Sequence, residues 1–188
     1  MGQIFIISGP SGAGEDSIIE GLQKYLNIER VITTTTRPMR PGESQGNPYY
    51  FVTLEEFKKG IKENKFFEYA CEYNNNYYGV THEEINRVRN GNKIGIWKIE
   101  YKGVITAKKL IPGIIAILIS APLSSIKKRL KKRDQNASPR YIKERMEYTR
   151  KWLKHKNIYD YEVINEDGKL EEAIQKTLKI IKKNIKKK

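Results

Sequence analysis

The chain has one cysteine, two histidines and no apolar segment long enough to cross a membrane. The single cysteine, Cys71, excludes an internal disulfide and favours a reducing compartment. His82 and His155 have no neighbours in a pattern typical of a metal site or a nucleophile, so we expect both at the surface. The longest uncharged apolar region, residues 110–123, contains prolines and is shorter than the ~20 residues that a membrane helix needs. Residues 1–3 lead directly into an apolar run, so we expect no secretory leader and a cytoplasmic location.

Acidic residues are few: 22 stand against 36 lysines and arginines, which gives a net charge of +14. A basic chain attracts polyanions, and these include both nucleic acids and nucleotides. Many of the lysines, however, fall on the solvated faces of predicted helices. We therefore expect no membrane partner and no nucleic-acid partner, while a monomer and a homodimer are both compatible with the sequence.

Hydrophobic periodicity predicts strands that alternate with helices. Strands are expected over 4–7, 94–99, 114–120 and 161–165, and helices over 15–26, 54–63, 81–90, 102–110, 123–132, 139–155 and 168–186. This order predicts an α/β protein whose parallel sheet is covered by helices on both faces. Residues 33–80 interrupt the alternation with short strands and turns, and we expect a binding surface there. The polar segment 133–140 joins two basic helices and is predicted to form a mobile lid.

A glycine-rich loop follows the first predicted strand. Residues 9–16 read Gly-Pro-Ser-Gly-Ala-Gly-Glu-Asp and precede an amphipathic stretch, which is the strand–loop–helix context of the GxxxxGK[ST] motif. Its glycines let backbone N–H groups surround a phosphate at a helix N-terminus. The usual lysine is replaced by Glu15 and the usual hydroxyl residue by Asp16. The predicted residues for binding a phosphate donor are Gly9, Pro10, Ser11, Gly12, Ala13, Gly14, Glu15 and Asp16.

A second group of residues has the chemistry to bind a phosphate ester attached to a base. Arg37 and Arg40 lie three residues apart between prolines, and together they can hold one phosphate. Aromatic segments follow at 49–51, 66–69 and 76–79, and buried tyrosines offer a hydroxyl beside an apolar wall. One carboxylate near them could accept from the N1–H and N2–H groups of guanine.

Five blocks in order make the chain resemble the guanylate kinases, enzymes that phosphorylate GMP with ATP. The blocks are the loop at 9–14, TTTRPMRPGE at 34–43, FFEY at 66–69, NYYG at 76–79 and VIN at 163–165. The resemblance covers nearly the whole chain and implies a P-loop NTPase-type fold. It implies a core of residues 1–32, 81–124 and 147–188, a mixed α/β GMP-binding insertion of residues 33–80, and a helical lid of residues 125–146.

The resemblance also implies a role for individual residues. Those that would bind the acceptor GMP are Thr33, Arg37, Arg40, Tyr49, Glu68 and Tyr78, with Glu68 at the guanine edge. The catalytic arginines, which neutralise charge on the transferred phosphoryl group, would be Arg40, Arg133 and Arg145. Asn165 would lie near the adenine of ATP. The implied cofactor is Mg²⁺ with ATP as the phosphate donor, and its candidate protein ligands are Asp16 and Glu100.

The chain departs from the family pattern at four main positions. Glu15 places a carboxylate where attraction for a phosphate is needed, Asp16 replaces a hydroxyl residue, and Val80 weakens guanine selectivity slightly. Lys98 stands where the family has an acid, two residues before Glu100 on the same side of a predicted strand. The changes at 15 and 98 are reciprocal in charge. We hypothesise that Lys98 faces Glu15 or supplies the missing phosphate-binding cation.

The sequence therefore favours a guanylate kinase that transfers the γ-phosphate of ATP to GMP, and it leaves open whether Glu15 impairs the activity. An alternative is a catalytically inactive guanylate kinase-like module that binds GMP or a phosphorylated partner, because the acceptor residues are intact while the donor loop is altered. A kinase of another small phosphate ester, such as a ribosyl bisphosphate, is a third interpretation. Glu68 and the Tyr-Tyr-Gly segment at 77–79 argue against it, since they suit a purine nucleotide.

Overall fold

The computed structural model describes residues 2–71, 75–134 and 137–185. Part of the predicted lid segment (135–136) and the end of the lysine-rich terminus (186–188) lie outside the described residues. In chain order the elements are β1 Ile4–Ser8, α1 Glu15–Leu22, β2 Ile28–Val31, β3 Thr33–Thr35, β4 Ser44–Gln45, β5 Pro48–Phe51, α2 Leu54–Lys62, β6 Phe66–Cys71, β7 Tyr77–Thr81, α3 His82–Asn90, β8 Ile94–Trp97, α4 Tyr101–Leu110, β9 Ile115–Ser120, α5 Leu123–Arg133, α6 Pro139–Leu153, β10 Tyr161–Ile164 and α7 Leu170–Asn184.

The core is a five-stranded parallel sheet with the strand order β10-β9-β1-β8-β2. The central strand, β1, is buried along its whole length, and its side chains alternate between two hydrophobic clusters. Phe5 and Ile7 pack with residues of α1 and α7, whereas Ile4 and Ile6 pack with residues of α3 and α4. This arrangement confirms the predicted α/β class with helices on both faces of a parallel sheet.

A second, mixed sheet is formed between residues 33 and 81, with the strand order β4-β5-β3-β7-β6. Strand β3 runs parallel to β5 and antiparallel to β7. Helix α2 begins at a capping box, in which Thr53 and Glu56 satisfy each other's backbone N–H groups. The ring of Phe57 on this helix stacks on Phe66 with ring centres 4.2 Å apart. The second sheet thus has its own apolar contacts and presents its strands toward the core.

Helices α5 and α6 form a separate pair beside the core sheet. Ile126 and Leu130 of α5 pack with Ile142 and Met146 of α6 in a small hydrophobic cluster. Helix α6 begins where the side chain of Ser138 accepts the backbone N–H of Tyr141 at 3.1 Å. Within the described residues, no helix is both long enough and apolar enough to span a bilayer.

The predicted ends of the first helix and of the strand at 94–99 are among the boundaries that the structure corrects. Helix α1 ends at Leu22 rather than 26, because the next three N–H groups bond to carbonyls three residues back. Strand β8 ends at Trp97 rather than 99. Lys98 and Glu100 therefore lie in the segment between β8 and α4, and the argument from side-chain alternation along a strand does not apply to them.

The strand Ile28–Val31 was not predicted. It is an edge strand, paired only with β8, and its two central residues, Glu29 and Arg30, are half-buried and charged. Such a short segment with two apolar residues has too weak a pattern for the hydrophobic periodicity to reveal it.

Candidate nucleotide-binding cleft

A cleft of about 430 Å³ lies where β1 and β8 end, between the core sheet, the second sheet and the helices α5 and α6. Ligands of open α/β sheets bind at the carboxyl ends of the strands, so its position is the expected one. Most of the predicted site residues line it: Gly9, Ser11, Gly12, Gly14, Glu15, Asp16, Thr33, Arg37, Arg40, Tyr49, Glu68, Tyr78, Glu100, Arg133 and Arg145. Pro10, Ala13 and Asn165 are not among its lining residues.

The glycine loop between β1 and α1 depends on its glycines for conformation and for space. Gly12 has φ of +92° and Gly14 has φ of +100°, a region that favours glycine. A Cβ atom on Gly9 would lie 2.2 Å from the carbonyl oxygen of Ile119. The loop therefore lies against β9 so closely that no side chain fits at Gly9.

Two residues from outside the loop fix its carbonyl groups. The side-chain amide of buried Asn165 donates to the carbonyl of Ala13 at 2.7 Å. The guanidinium of Arg129 donates to the carbonyls of Gly12 and Ala13 at 3.3 and 3.2 Å. In the structure Asn165 thus anchors the loop, and its place near the adenine of ATP stays a prediction from the resemblance. Arg129 was missed, because nothing distinguishes it within the basic run of α5.

Glu15 and Asp16 are the first two residues of α1, and their carboxylates have different hydrogen-bond partners. The Glu15 carboxylate accepts the backbone N–H of Gly14 at 3.1 Å, which is one of the groups that such a loop offers to a phosphate. The Asp16 carboxylate accepts from Lys98 Nζ at 2.9 and 2.8 Å and from Arg30 at 2.7 Å. The two acids therefore occupy the mouth of the loop, one bonded to backbone and one to two cations.

These surroundings raise the pKa values of Glu15 and Lys98 and lower the pKa of Asp16. Burial raises the pKa of Glu15 to about 7, against the opposing effect of Lys98. Glu15 is partly accessible to solvent and lines the cleft. Burial acts in the same sense on Asp16, but Lys98 and Arg30 outweigh it and lower that pKa. The pKa of Lys98 is raised, because nearby Tyr49, Asp16 and Glu15 outweigh the effect of burial.

Arg37 is held by a turn that its own motif builds. Its guanidinium donates to both oxygens of Glu43 at 2.8 and 3.0 Å, and it lies 5.3 Å from the centre of the Tyr49 ring. The same carboxylate accepts the backbone N–H of Arg40 at 2.8 Å. Glu43, which the sequence did not single out, thus orients the guanidinium of Arg37 and fixes the backbone at Arg40.

The second sheet supplies the aromatic wall of the cleft. The rings of Tyr49 and Tyr78 meet edge to face with their centres 6.0 Å apart, and burial raises the pKa of Tyr78. Glu68 is buried on β6 and lies close to α4, where a Cβ atom on Gly103 would be 3.0 Å from its carboxylate. The absence of a side chain at Gly103 therefore lets this carboxylate reach the space between the two sheets.

The lid-side arginines line the same cleft. Arg133, at the end of α5, donates to the Ser11 hydroxyl of the glycine loop at 2.9 Å and pairs with Asp134 at 2.8 Å. Arg145 lies on α6, near the ring of Tyr141. The structure thus brings cations from the α5–α6 pair to the glycine loop.

The two predicted metal ligands, Asp16 and Glu100, both face the cleft. Glu100 accepts the phenolic hydroxyl of Tyr148, and Asp16 is bonded to Lys98. No group of three or more histidine, cysteine, aspartate or glutamate side chains in the described part of the chain could hold a metal. Mg²⁺ takes most of its ligands from water and phosphates and needs only one or two carboxylates. The donor set therefore fits a metal that arrives with a nucleotide.

A glycine loop between a parallel strand and a helix, facing cations and a buried carboxylate, defines a P-loop nucleotide-binding protein. The family model described as guanylate kinase matches residues 1–184. The chain belongs to the guanylate kinase family.

Individual relatives agree with this assignment. The chain is 39% identical over 171 residues to a guanylate kinase of Buchnera aphidicola, covering 89% of this chain and 82% of the relative. It is 36% identical over 182 residues to a guanylate kinase of Rickettsia felis, covering 96% and 93%. The crystal structure of guanylate kinase from Anaplasma phagocytophilum superposes with a TM-score of 0.75 at 26% identity, covering 98% of this chain and 87% of that one.

Proposed function

We propose that this protein transfers the γ-phosphate of ATP to GMP, giving ADP and GDP, in the cytoplasm. The observation that carries the proposal is that one cleft contains both halves of such a site. The glycine loop at Gly9–Gly14 supplies backbone N–H groups for the phosphates of a donor, and the second sheet supplies arginine, tyrosine and carboxylate groups for an acceptor.

The acceptor half divides into a phosphate end and a base end. Arg37, Arg40, Tyr49 and Tyr78 bind the phosphate of GMP: all four line the cleft, and Glu43 holds the Arg37 guanidinium beside the Tyr49 ring. Glu68, buried between the sheets beside Thr33, accepts from the two N–H groups on the guanine edge. A nucleotide whose base presents an acceptor at this edge would face the carboxylate with a lone pair instead of a donor, which is costly.

The donor half is the glycine loop, anchored by Asn165 and closed by the arginines of α5 and α6. Arg40, Arg133 and Arg145 neutralise the charge that spreads over the transferred phosphoryl group. Asp16 and Glu100 hold the Mg²⁺ that accompanies ATP. In this proposal residues 33–80 form the GMP-binding insertion, and residues 125–146 form a lid that closes on the core and excludes water.

The test measures ADP formation from Mg·ATP with and without GMP, for the parent chain and for Glu15→Lys. We expect GMP-dependent ADP formation by the parent, and none above background with CMP or UMP. Glu15→Lys restores the usual loop residue and reports whether the loop acid limits turnover. ADP formation that does not depend on GMP in either protein would contradict the proposal. No turnover in either protein, together with tight GMP binding, would favour a binding module instead.

A further inference from the structure

The loop has an acid where loops of this type have a lysine, which normally reaches the outer phosphates of the nucleotide. We propose that Lys98 replaces it: its ammonium group enters from the end of β8, is positioned by Asp16, and binds the outer phosphates of the donor nucleotide. This inference rests on the proposed function for the identity of the donor.

The sheet register places Lys98 beside the loop. Strands β1 and β8 are parallel neighbours, and Ile6 pairs with Trp97. Lys98 therefore follows β8 level with the last residues of β1, immediately before the glycine loop begins. A long side chain at this point reaches the loop from the side, whereas the usual lysine reaches the phosphates from the start of the helix.

The contacts of Lys98 place its ammonium group between the two halves of the site. Nζ lies 2.9 and 2.8 Å from the two carboxylate oxygens of Asp16 at the start of α1. It also lies 5.7 Å from the centre of the Tyr49 ring in the aromatic wall. A cation held in this position, between the donor loop and the acceptor wall, can contact a phosphate as it moves from one side to the other.

Three of the other cations that line the cleft have partners of a different kind. Arg129 bonds to the loop carbonyls and to Asp167, and Arg37 is bonded to both oxygens of Glu43. Arg133 donates to the Ser11 hydroxyl of the loop and is paired with Asp134, which lies outside the loop. Lys98 differs because its acid partner belongs to the loop region itself. Asp16 is also paired with Arg30, so two cations share this one carboxylate, and Glu15 is the second acid near Lys98.

The experiment measures binding of Mg·ATP and of GMP by calorimetry, together with the KM of each substrate, for Lys98→Ala. We expect Mg·ATP binding to weaken by about tenfold or more, as for a lost charged hydrogen bond, and GMP binding to change little. The matched control is Lys108→Ala. Lys108 also pairs with an aspartate, Asp160, at 2.8 Å and is similarly exposed, but it does not line the cleft. Its removal should leave both affinities unchanged.

Exchanging the charges at positions 15 and 98 is a second test of the role of Lys98. Lys98→Asp alone should abolish measurable Mg·ATP binding, and the double variant Glu15→Lys, Lys98→Asp should regain it, because the cation then comes from the loop. Thermal unfolding of all variants separates loss of binding from loss of fold, and the double variant remains informative if Lys98→Asp is unstable. The inference is overturned if Lys98→Ala and Lys108→Ala affect Mg·ATP equally, or if the parent binds no Mg·ATP.

The two proposals fail in different ways. Binding of Mg·ATP that depends on Lys98, without GMP-dependent turnover, would contradict the proposed function and support the role of Lys98. GMP-dependent turnover that Lys98→Ala leaves unchanged would support the function and overturn the role of Lys98.

Discussion

At the scale of single residues, the glycine loop is limited by space at one position and by backbone conformation at others. Gly9 has an ordinary backbone conformation, yet a Cβ atom there would lie 2.2 Å from a backbone oxygen of β9, which cannot move aside easily. Gly113, which lies outside the glycine loop between α4 and β9, is the opposite case. It has φ of +79°, and no atom lies within 4 Å of a new Cβ atom there. The pair separates the effect of crowding from the effect of backbone strain.

We expect Gly9→Ala to destabilise the protein by about 1–3 kcal/mol, as overpacking does, and to weaken Mg·ATP binding because the loop must shift. Gly113→Ala should cost about 1–2 kcal/mol, because alanine disfavours the left-handed backbone, and should leave binding intact. Urea unfolding and calorimetry measure the two quantities. Equal effects of both substitutions on Mg·ATP binding would show that close contact with β9 does not shape the loop.

At Glu68, the effect of the carboxylate can be tested separately from the effect of side-chain shape. Glutamine has nearly the same shape but has an NH₂ group, a donor, in place of one carboxylate oxygen, where the proposed guanine contact needs an acceptor. We expect Glu68→Gln to lower kcat/KM for GMP by about a hundredfold and to leave the KM for ATP unchanged. The control is Glu63→Gln, at an exposed surface pair with Lys65. If the ratio of kcat/KM for GMP to kcat/KM for other nucleotides is unchanged in steady-state kinetics, Glu68 has no role in base recognition.

At the scale of elements, the turn between β3 and β4 holds its two arginines through one carboxylate. Glu43 bonds to the guanidinium of Arg37 and to the backbone N–H of Arg40, and the bond from Arg37 lowers the pKa of Glu43 despite partial burial. A lowered pKa in the folded state means that folding favours the ionised carboxyl. The stabilisation is present above the unfolded value of 4.5 and is lost as the pH falls through the lower folded value.

We therefore expect the free energy of unfolding of the parent to decrease more steeply than that of Glu43→Gln as the pH falls from about 5 to about 3. Above this range the parent should be the more stable of the two, and GMP should bind Glu43→Gln more weakly because Arg37 is no longer oriented. Denaturant titrations at several pH values measure the difference. Exposed Glu20 on α1 provides a control, Glu20→Gln. Parallel pH profiles for the parent and Glu43→Gln would contradict the interpretation.

At the scale of the whole molecule, the net charge is +14, and both proposed substrates are anions. Long-range attraction speeds the encounter and is screened by salt, with a Debye length of about 10 Å at 0.1 M. We expect the KM values for ATP and GMP to rise severalfold between about 50 and 300 mM potassium chloride, while kcat changes little, because the bound contacts are within the cleft. Steady-state kinetics at constant pH and Mg²⁺ test this. A kcat that falls as steeply as the KM rises would place the salt effect in the chemical step.

The sequence by itself determined the parallel sheet, the glycine loop and the identity of most cleft residues. The apolar strands are long and uninterrupted, and the motifs are local, so pattern and spacing carry them directly. The edge strand at 28–31 escaped prediction, because its charged centre leaves only two apolar residues. The end of β8 was also misplaced, because apolar Ile99 continues the pattern although the chain has already left the sheet.

Only the tertiary structure decided which groups meet. The partner of Lys98 is Asp16 and the anchors of the loop are Arg129 and Asn165, contacts that span between 82 and 152 positions in the chain. Such contacts depend on strand order and on where each element ends, which no local pattern encodes. The reciprocal charges at 15 and 98 suggested that the two positions interact. The register of β1 and β8 showed how a cation can reach the loop from the neighbouring strand.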